Sequence, residues 1–305
     1  MQANAQAIVS AHQARLALPI AQDSASTATP IAAQAIKPTD SEGGAVYQSA
    51  KQACLAMGFI EQDAQCVAAA WQAQVRRTGH FDPADWPTTA QDFGMQAWPR
   101  SNAFAPCPKK LGLYAVLPDA AWVSQMAQAG VPILQLRFKS EDTAAIEREV
   151  HAAVAAVQGT QALLFINDHW QAAIKAGAYG VHLGQEDMET ADLNAIRQAG
   201  LRLGLSSHGY AEMMRADALS PSYIAMGAVF PTTLKRMATA PQGLGRLYAY
   251  AQLMQDYPLV AIGGIDAEKF SAVLGSGVGS IAVVRAITGA PDPQAAAKAL
   301  LAQII

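Results

Sequence analysis

The sequence predicts an α/β protein whose larger part is a closed (β/α)₈ TIM barrel, carried behind an N-terminal extension that is partly helical and partly disordered. Three observations support this. From Gly112 onward, short β-rich apolar runs alternate eight times with Ala-rich segments of helical length, the pattern of a parallel sheet with crossover helices. Eight such units are enough to close a sheet on itself, at the short end of the barrel range. Polar residues also gather just beyond the C-terminal ends of successive strands, the end at which barrels of this kind carry their chemistry. A doubly wound open sheet is the alternative.

In chain order, residues 1–44 are rich in Ala, Gln, Ser, Thr and Pro, and Asp23–Gly44 has almost no large apolar side chains, so 1–44 is expected to be a flexible segment. Ala45–Gly58 and Gln62–Arg77 carry apolar residues at helical spacing, as in Ala53 and Met57 or Val67, Trp71 and Val75, which predicts a helical hairpin. Five prolines between Asp82 and Pro108 mark an irregular connector, so 45–110 reads as a helical appendage whose role the sequence does not assign. His80 and Trp86 within it read as structural. The barrel occupies 111–305. Its strands are expected at Leu113–Leu117, Ile133–Phe138, Ala162–Ile166, Gly180–Leu183, Arg202–Ser206, Tyr223–Ala228, Leu259–Ile262 and Ser280–Val284. Helices follow them, among them Ala121–Ala129, Glu141–Val157, Asp192–Ala199, Gly245–Tyr257 and Pro293–Ile304.

Composition narrows the partners. The chain has 305 residues, of which 51% are hydrophobic, ample for a buried core. A net charge of -3 with no local basic cluster argues against nucleic acid and anionic membrane surfaces, and leaves small molecules as the expected partners. Cys54, Cys66 and Cys107 match neither a disulfide framework nor a zinc site and read as reduced thiols. With no apolar run of about 18 residues and no signal-like start, the expected location is cytoplasmic. A homo-oligomer is left open.

The chemistry is concentrated between Phe165 and Asp187. There a strand ends in Asn167 and Asp168, a helix crosses over, and a second strand is followed by Asp187. The crossover makes the two strands parallel, so both carboxylates come to the same rim, where they can hold one small hard cation; Mg²⁺ fits best, since it commonly takes one or two carboxylates together with substrate phosphate oxygens. Along QLRFK, alternation sends Gln135, Arg137 and Lys139 to the interior face, where unpaired cations are costly and an anion is called for. With Lys235 after the sixth strand they form an electropositive wall opposite the carboxylates, an arrangement suited to pyrophosphate as a leaving group. Paired carboxylates can also serve as acid and base, but the neighbouring cations are expected to keep both ionised. Gly263-Gly264 after the seventh strand matches the place where many barrels bind a phosphate. Gln135 and Asn167 can donate to and accept from the edge of a heterocycle. Ser206, Ser207 and His208 close the fifth strand.

The motifs QLRFK, FINDH, GVHLGQED, GLSSH, GAVFPTTLK, APQGL, VAIGGI and GSIAVV, in this order, resemble the thiamine-phosphate synthase family over Gly112 to the C-terminus. The resemblance implies a transferase that joins a pyrimidinylmethyl diphosphate to a thiazole phosphate (or its carboxylated precursor), releasing pyrophosphate by a dissociative route. It further implies that Gln135, Leu136, Arg137, Phe138, Lys139, Asn167, Ser206 and Lys235 bind the pyrimidine diphosphate, that Asp168 and Asp187 hold Mg²⁺, that Thr232, Thr233 and Leu234 line the thiazole site, and that Gly264, Val284 and Arg285 hold its phosphate. Arg137, Lys139 and Lys235 would be the catalytic cations. His208 is left structural, because a ring nitrogen that attacks through its lone pair has no proton to lose. Two positions depart from the family pattern: Leu234 stands where a second Thr is usual, and Arg285 where Ser is usual. The alternatives are a thiazole tautomerase-like paralogue, which needs no pyrophosphate clamp, and a non-catalytic binder of thiamine precursors.

Overall fold

The computed structural model describes residues 2–18, 44–97, 100–233 and 239–304. Among the described residues, three α-helices precede the barrel, α1 (Gln2–Leu16), α2 (Ala45–Ala56) and α3 (Glu61–Thr78), followed by a 3-10 turn at Ala90–Phe93. Eight parallel strands follow, β1 (Gly112–Leu117), β2 (Ile133–Leu136), β3 (Leu163–Asn167), β4 (Gly180–Leu183), β5 (Arg202–Ser207), β6 (Tyr223–Met226), β7 (Leu259–Ile262) and β8 (Ser280–Val283), each paired with the next and β8 with β1. The helices between and after them are α4 (Ala120–Gln128), α5 (Thr143–Ala156), α6 (Trp170–Ala176), α7 (Gln185–Thr190), α8 (Leu193–Gln198), α9 (Tyr210–Ala218), α10 (Gly243–Leu253), α11 (Ala267–Leu274), α12 (Arg285–Thr288) and α13 (Pro293–Leu301). The open-sheet alternative is excluded by the β1–β8 pairing.

Period-two alternation sorts each strand between two apolar layers. Leu113, Ala115 and Leu117 of β1 face the helices with Leu134, Leu136, Leu164 and Ile166, whereas Tyr114, Val116, Ile133, Phe165 and Tyr223 fill the barrel interior. Large interior rings need small neighbours: a Cβ on Gly204 would come within 2.1 Å of the Tyr223 ring. Aspartates start five of the outer helices, with Asp119, Asp142, Asp192, Asp266 and Asp292 each accepting a backbone N–H in the first turn of α4, α5, α8, α11 and α13. The floor of the barrel, at the N-terminal strand ends, is closed by the connector. Cys107, Pro108 and Leu111 pack there against Tyr114, Phe165 and Tyr223 and leave a void of only about 10 Å³.

The segment before the barrel departs from expectation at one end. Residues 2–16, within the stretch expected to be flexible, form α1, because Ile8, His12 and Leu16 make a buried stripe on an otherwise Ala- and Gln-rich helix. The rest of that stretch, 19–43, lies outside the described residues. The predicted hairpin is present as α2 and α3. It packs against the barrel as an arm. Trp86, 4% exposed, donates from Nε1 to the Tyr210 hydroxyl at 2.9 Å, consistent with its structural reading, while His80 is exposed. Arg246 of α10, 2% exposed, donates to the carbonyls of Leu16 and Met57 at the C-terminal ends of α1 and α2, at 2.9 Å each. In the connector, Arg100 forms a buried ion pair with Asp217 at 2.6 Å and donates to the Tyr257 hydroxyl at 2.9 Å.

Candidate active site

The C-terminal rim is built outward from β3 and β4. Their parallel register sets Asn167 opposite His182, and the Asp168 N–H continues the ladder to the His182 carbonyl at 3.0 Å. Asp168 then turns at φ 62°, a left-handed conformation in which Asp is tolerated better than most residues. Asp187 stands in the first turn of α7, and its carboxylate faces that of Asp168. Partial burial, and after it the Asp187 charge, push the Asp168 carboxyl up to about 6, while His169 and Arg137 pull it down. The cations at the rim thus offset burial and the Asp187 charge only in part. A bound cation would relieve that repulsion, and two carboxylates with open positions suit Mg²⁺. No cluster of three or more His, Cys, Asp or Glu that could hold a metal occurs among the described residues.

The cationic side differs in detail. β2 ends at Leu136, so Arg137, Phe138 and Lys139 form a turn at the rim, with Arg137 half-buried and Lys139 exposed to solvent rather than inside the barrel. Phe138, Lys139, Ser140, Glu141, Asp168 and His169 line an open cleft of about 410 Å³, which joins this turn to the Asp168 carboxylate. Leu136 does not reach it: its side chain is 1% exposed and packs outward against the helices. Lys235 and Leu234 lie outside the described residues.

Below the rim, inward-facing polar side chains form a continuous chain across six strands. The Asn167 amide donates to Asp168 Oδ2 at 2.5 Å, Gln135 Nε2 to Asn167 Oδ1 at 2.7 Å, and the Tyr114 hydroxyl to Gln135 Oε1 at 2.8 Å. Tyr114 has then spent its hydrogen, so at 2.9 Å it accepts from the Tyr223 hydroxyl. Tyr223 in turn accepts from His182 Nδ1 at 2.7 Å, and His182 Nε2 accepts from Ser206 Oγ at 2.8 Å. One direction runs through the whole chain, and it assigns His182 the Nδ1–H tautomer. Burial raises both tyrosine hydroxyls well above their ordinary pKa, which keeps them neutral donors. Gln135, Asn167, Asp168 and Ser206 are thus brought together. Tyr114, Tyr223 and His182 were missed, although each is a polar residue at an inward position of its strand.

On the far side of the mouth, Gly263 and Gly264 follow β7 with φ of 102° and 66°. A Cβ on Gly264 would lie 2.5 Å from the Pro231 carbonyl, so glycine is required where the β6 and β7 turns touch. Thr232 and Thr233 follow Pro231 on the β6 turn, with Thr233 exposed. Val284 precedes α12, and Arg285 opens that short helix with its side chain in solvent. His208 holds Glu212 through Nδ1 at 2.6 Å and through its own N–H at 2.9 Å, closing the first turn of α9, which agrees with its structural reading.

The comparisons with known proteins point the same way. The family model described as thiamine monophosphate synthase matches residues 113–287. A thiamine-phosphate synthase from Neisseria meningitidis is 56% identical over 199 residues, 65% of this chain and 97% of the relative. One from Cronobacter sakazakii is 57% identical over 198 residues, 65% and 94% respectively. Matches so nearly complete leave these relatives no room for a counterpart of α1–α3. Among solved structures, thiamine phosphate pyrophosphorylase from Pyrococcus furiosus superposes with a TM-score of 0.58 at 28% identity, covering 64% of this chain and 96% of that one. The chain belongs to the thiamine monophosphate synthase family, and the protein is a transferase of thiamine biosynthesis.

Proposed function

We propose that the protein condenses 4-amino-2-methyl-5-(diphosphooxymethyl)pyrimidine with 4-methyl-5-(2-phosphooxyethyl)thiazole, or its carboxylated precursor, to thiamine phosphate, releasing pyrophosphate. The observation that carries this reading is the facing pair Asp168 and Asp187, with Asp168 sharing a cleft with Lys139 and linked below the rim through Asn167 to the buried Gln135 amide. A hydrolase reading of two carboxylates would leave the cationic turn and the amide edges without a task. A tautomerase would have no use for the clamp.

In this reading the pyrimidine ring lies against Gln135, Asn167 and Ser206, and its diphosphate extends toward Arg137, Lys139 and, from its motif, Lys235. Asp168 and Asp187 hold Mg²⁺, which supplies charge neutralisation to the departing diphosphate. Arg137 and Lys139 share that charge as the carbon–oxygen bond breaks and the electron pair leaves with pyrophosphate. The thiazole nitrogen then donates its lone pair to the pyrimidinylmethyl carbon. No proton is removed, which accords with the engagement of His208 by Glu212. Thr232, Thr233 and Leu234 line the thiazole, and Gly264, Val284 and Arg285 take its phosphate.

Incubating the purified protein with both phosphorylated substrates and Mg²⁺, and following thiamine phosphate and pyrophosphate by chromatography, tests this. Equimolar appearance of the two is expected. Binding of both substrates without either product would leave the non-catalytic alternative standing.

A further inference from the structure

Unlike the five helices begun by their own aspartates, α9 starts at Gly209, which has no side chain to offer. The missing oxygen comes from the arm. Asp63 of α3, 3% exposed, accepts the Ala211 N–H through Oδ1 at 2.9 Å. A Cβ built on Gly209 would sit 2.0 Å from Asp63 Oδ2, so the carboxylate fills the space that a side chain at the cap position would occupy. Gly209 is extended at φ -179°, which any residue can adopt, so glycine is needed here for room and not for conformation. The arm also encloses the next residue, with Phe93 stacked on the Tyr210 ring at 5.4 Å and Trp86 bonded to its hydroxyl.

We propose that Asp63 is a positioning residue for the substrate site: from the arm it caps the helix after β5 and so fixes the turn that directly follows Ser206 and Ser207 at the end of that strand. The turn is tied at its other end by Ser206 Oγ to His182, by Gln185 Nε2 to the Ser206 carbonyl at 2.6 Å, and by Ser207 Oγ to the Ala225 carbonyl at 2.9 Å. Asp63 closes the remaining end, and the arm becomes part of the enzyme's catalytic architecture. This inference rests on the reading of Ser206 as a contact to the pyrimidine diphosphate.

The full-length protein and its Asp63→Ala and Asp63→Asn variants test it by steady-state kinetics in each substrate and by amide hydrogen exchange across 206–212. In Asp63→Ala, KM for the pyrimidine diphosphate is expected to rise about fivefold, the scale of one lost cap, with KM for the thiazole phosphate changing less than about twofold. Asp63→Asn keeps an acceptor oxygen and restores most of the loss. Exchange at Ala211 accelerates in the alanine variant and not in the asparagine variant. Equal rises in both KM values, a KM unmoved, or unchanged exchange at Ala211 would each overturn the proposal. A wild-type protein that makes no thiamine phosphate would instead remove the functional reading, and the exchange data would still judge the cap.

Discussion

Ser206 Oγ lies 2.8 Å from Nε2 of His182, and through that contact the C-terminal end of β5 is connected, one hydrogen bond at a time, to the carboxylate of Asp168 after β3. Every hydroxyl in the chain donates in the same sense, so Ser206 has spent its hydrogen on His182 and offers lone pairs to the mouth. A ligand group resting on Ser206 should therefore be a donor.

Breaking the chain in its middle should cost more than one hydrogen bond. Tyr223→Phe removes the oxygen that accepts from His182 and donates to Tyr114, and is expected to destabilise by about 1–3 kcal/mol. Tyr114→Phe should cost a similar amount, and the double variant less than the sum by about 0.5 kcal/mol or more. Urea unfolding of the four proteins measures the coupling, and strict additivity would show that the contacts act separately.

Asp187→Asn should lower turnover by about 100-fold or more and raise the Mg²⁺ concentration needed for half-maximal rate. It should also lower the Asp168 pKa, since the Asp187 charge is removed while burial, the larger cause, remains. Carboxyl NMR titration of the metal-free variant reads the second effect. Full activity at low Mg²⁺ would refute the metal assignment.

Arg285→Ala should raise KM for the thiazole phosphate about tenfold, with a smaller effect on the pyrimidine substrate, because a guanidinium can clasp two phosphate oxygens. An unchanged thiazole KM would leave Arg285 as an ordinary solvent-exposed side chain.

The buried Asp63 gives a pH signature. Burial chiefly, and then Glu212, raise its pKa from 3.8 to about 6, against the opposing pull of Ala211, Arg246 and Tyr210. Between about pH 4 and pH 6 the folded chain keeps a proton that the unfolded chain has released, so stability falls as pH rises through that window and is level above it. Asp63→Asn has no such proton. The Tm of the wild type minus that of the variant should become more negative from about pH 4 to pH 6 and then flatten. A constant difference would contradict it.

The barrel was legible because its signals are local. Alternating apolar runs gave β4 and β7 to the residue, and the parallel crossover alone brought Asp168 and Asp187 to one rim. Lys139 was misplaced because QLRFK continues to alternate after the hydrogen-bonded ladder stops at Leu136, and side-chain parity says nothing beyond the end of a strand. Helix α1 escaped notice because its docking rests on Ile8, His12 and Leu16, whereas composition averages over the many Ala and Gln around them. Asp63 could not be found at all from its surroundings in sequence. Its partner lies 148 residues away, and only the assembled fold shows an empty cap being filled from elsewhere.

The plugged floor has a consequence for traffic. With the connector seated under Tyr114, Phe165 and Tyr223, the floor of the barrel keeps a void of only about 10 Å³, and the wide cleft lies at the opposite rim. A ring resting against Gln135 and Asn167, as proposed above, would lie deeper than anything held at the lip, and such a placement favours its entering first and leaving last.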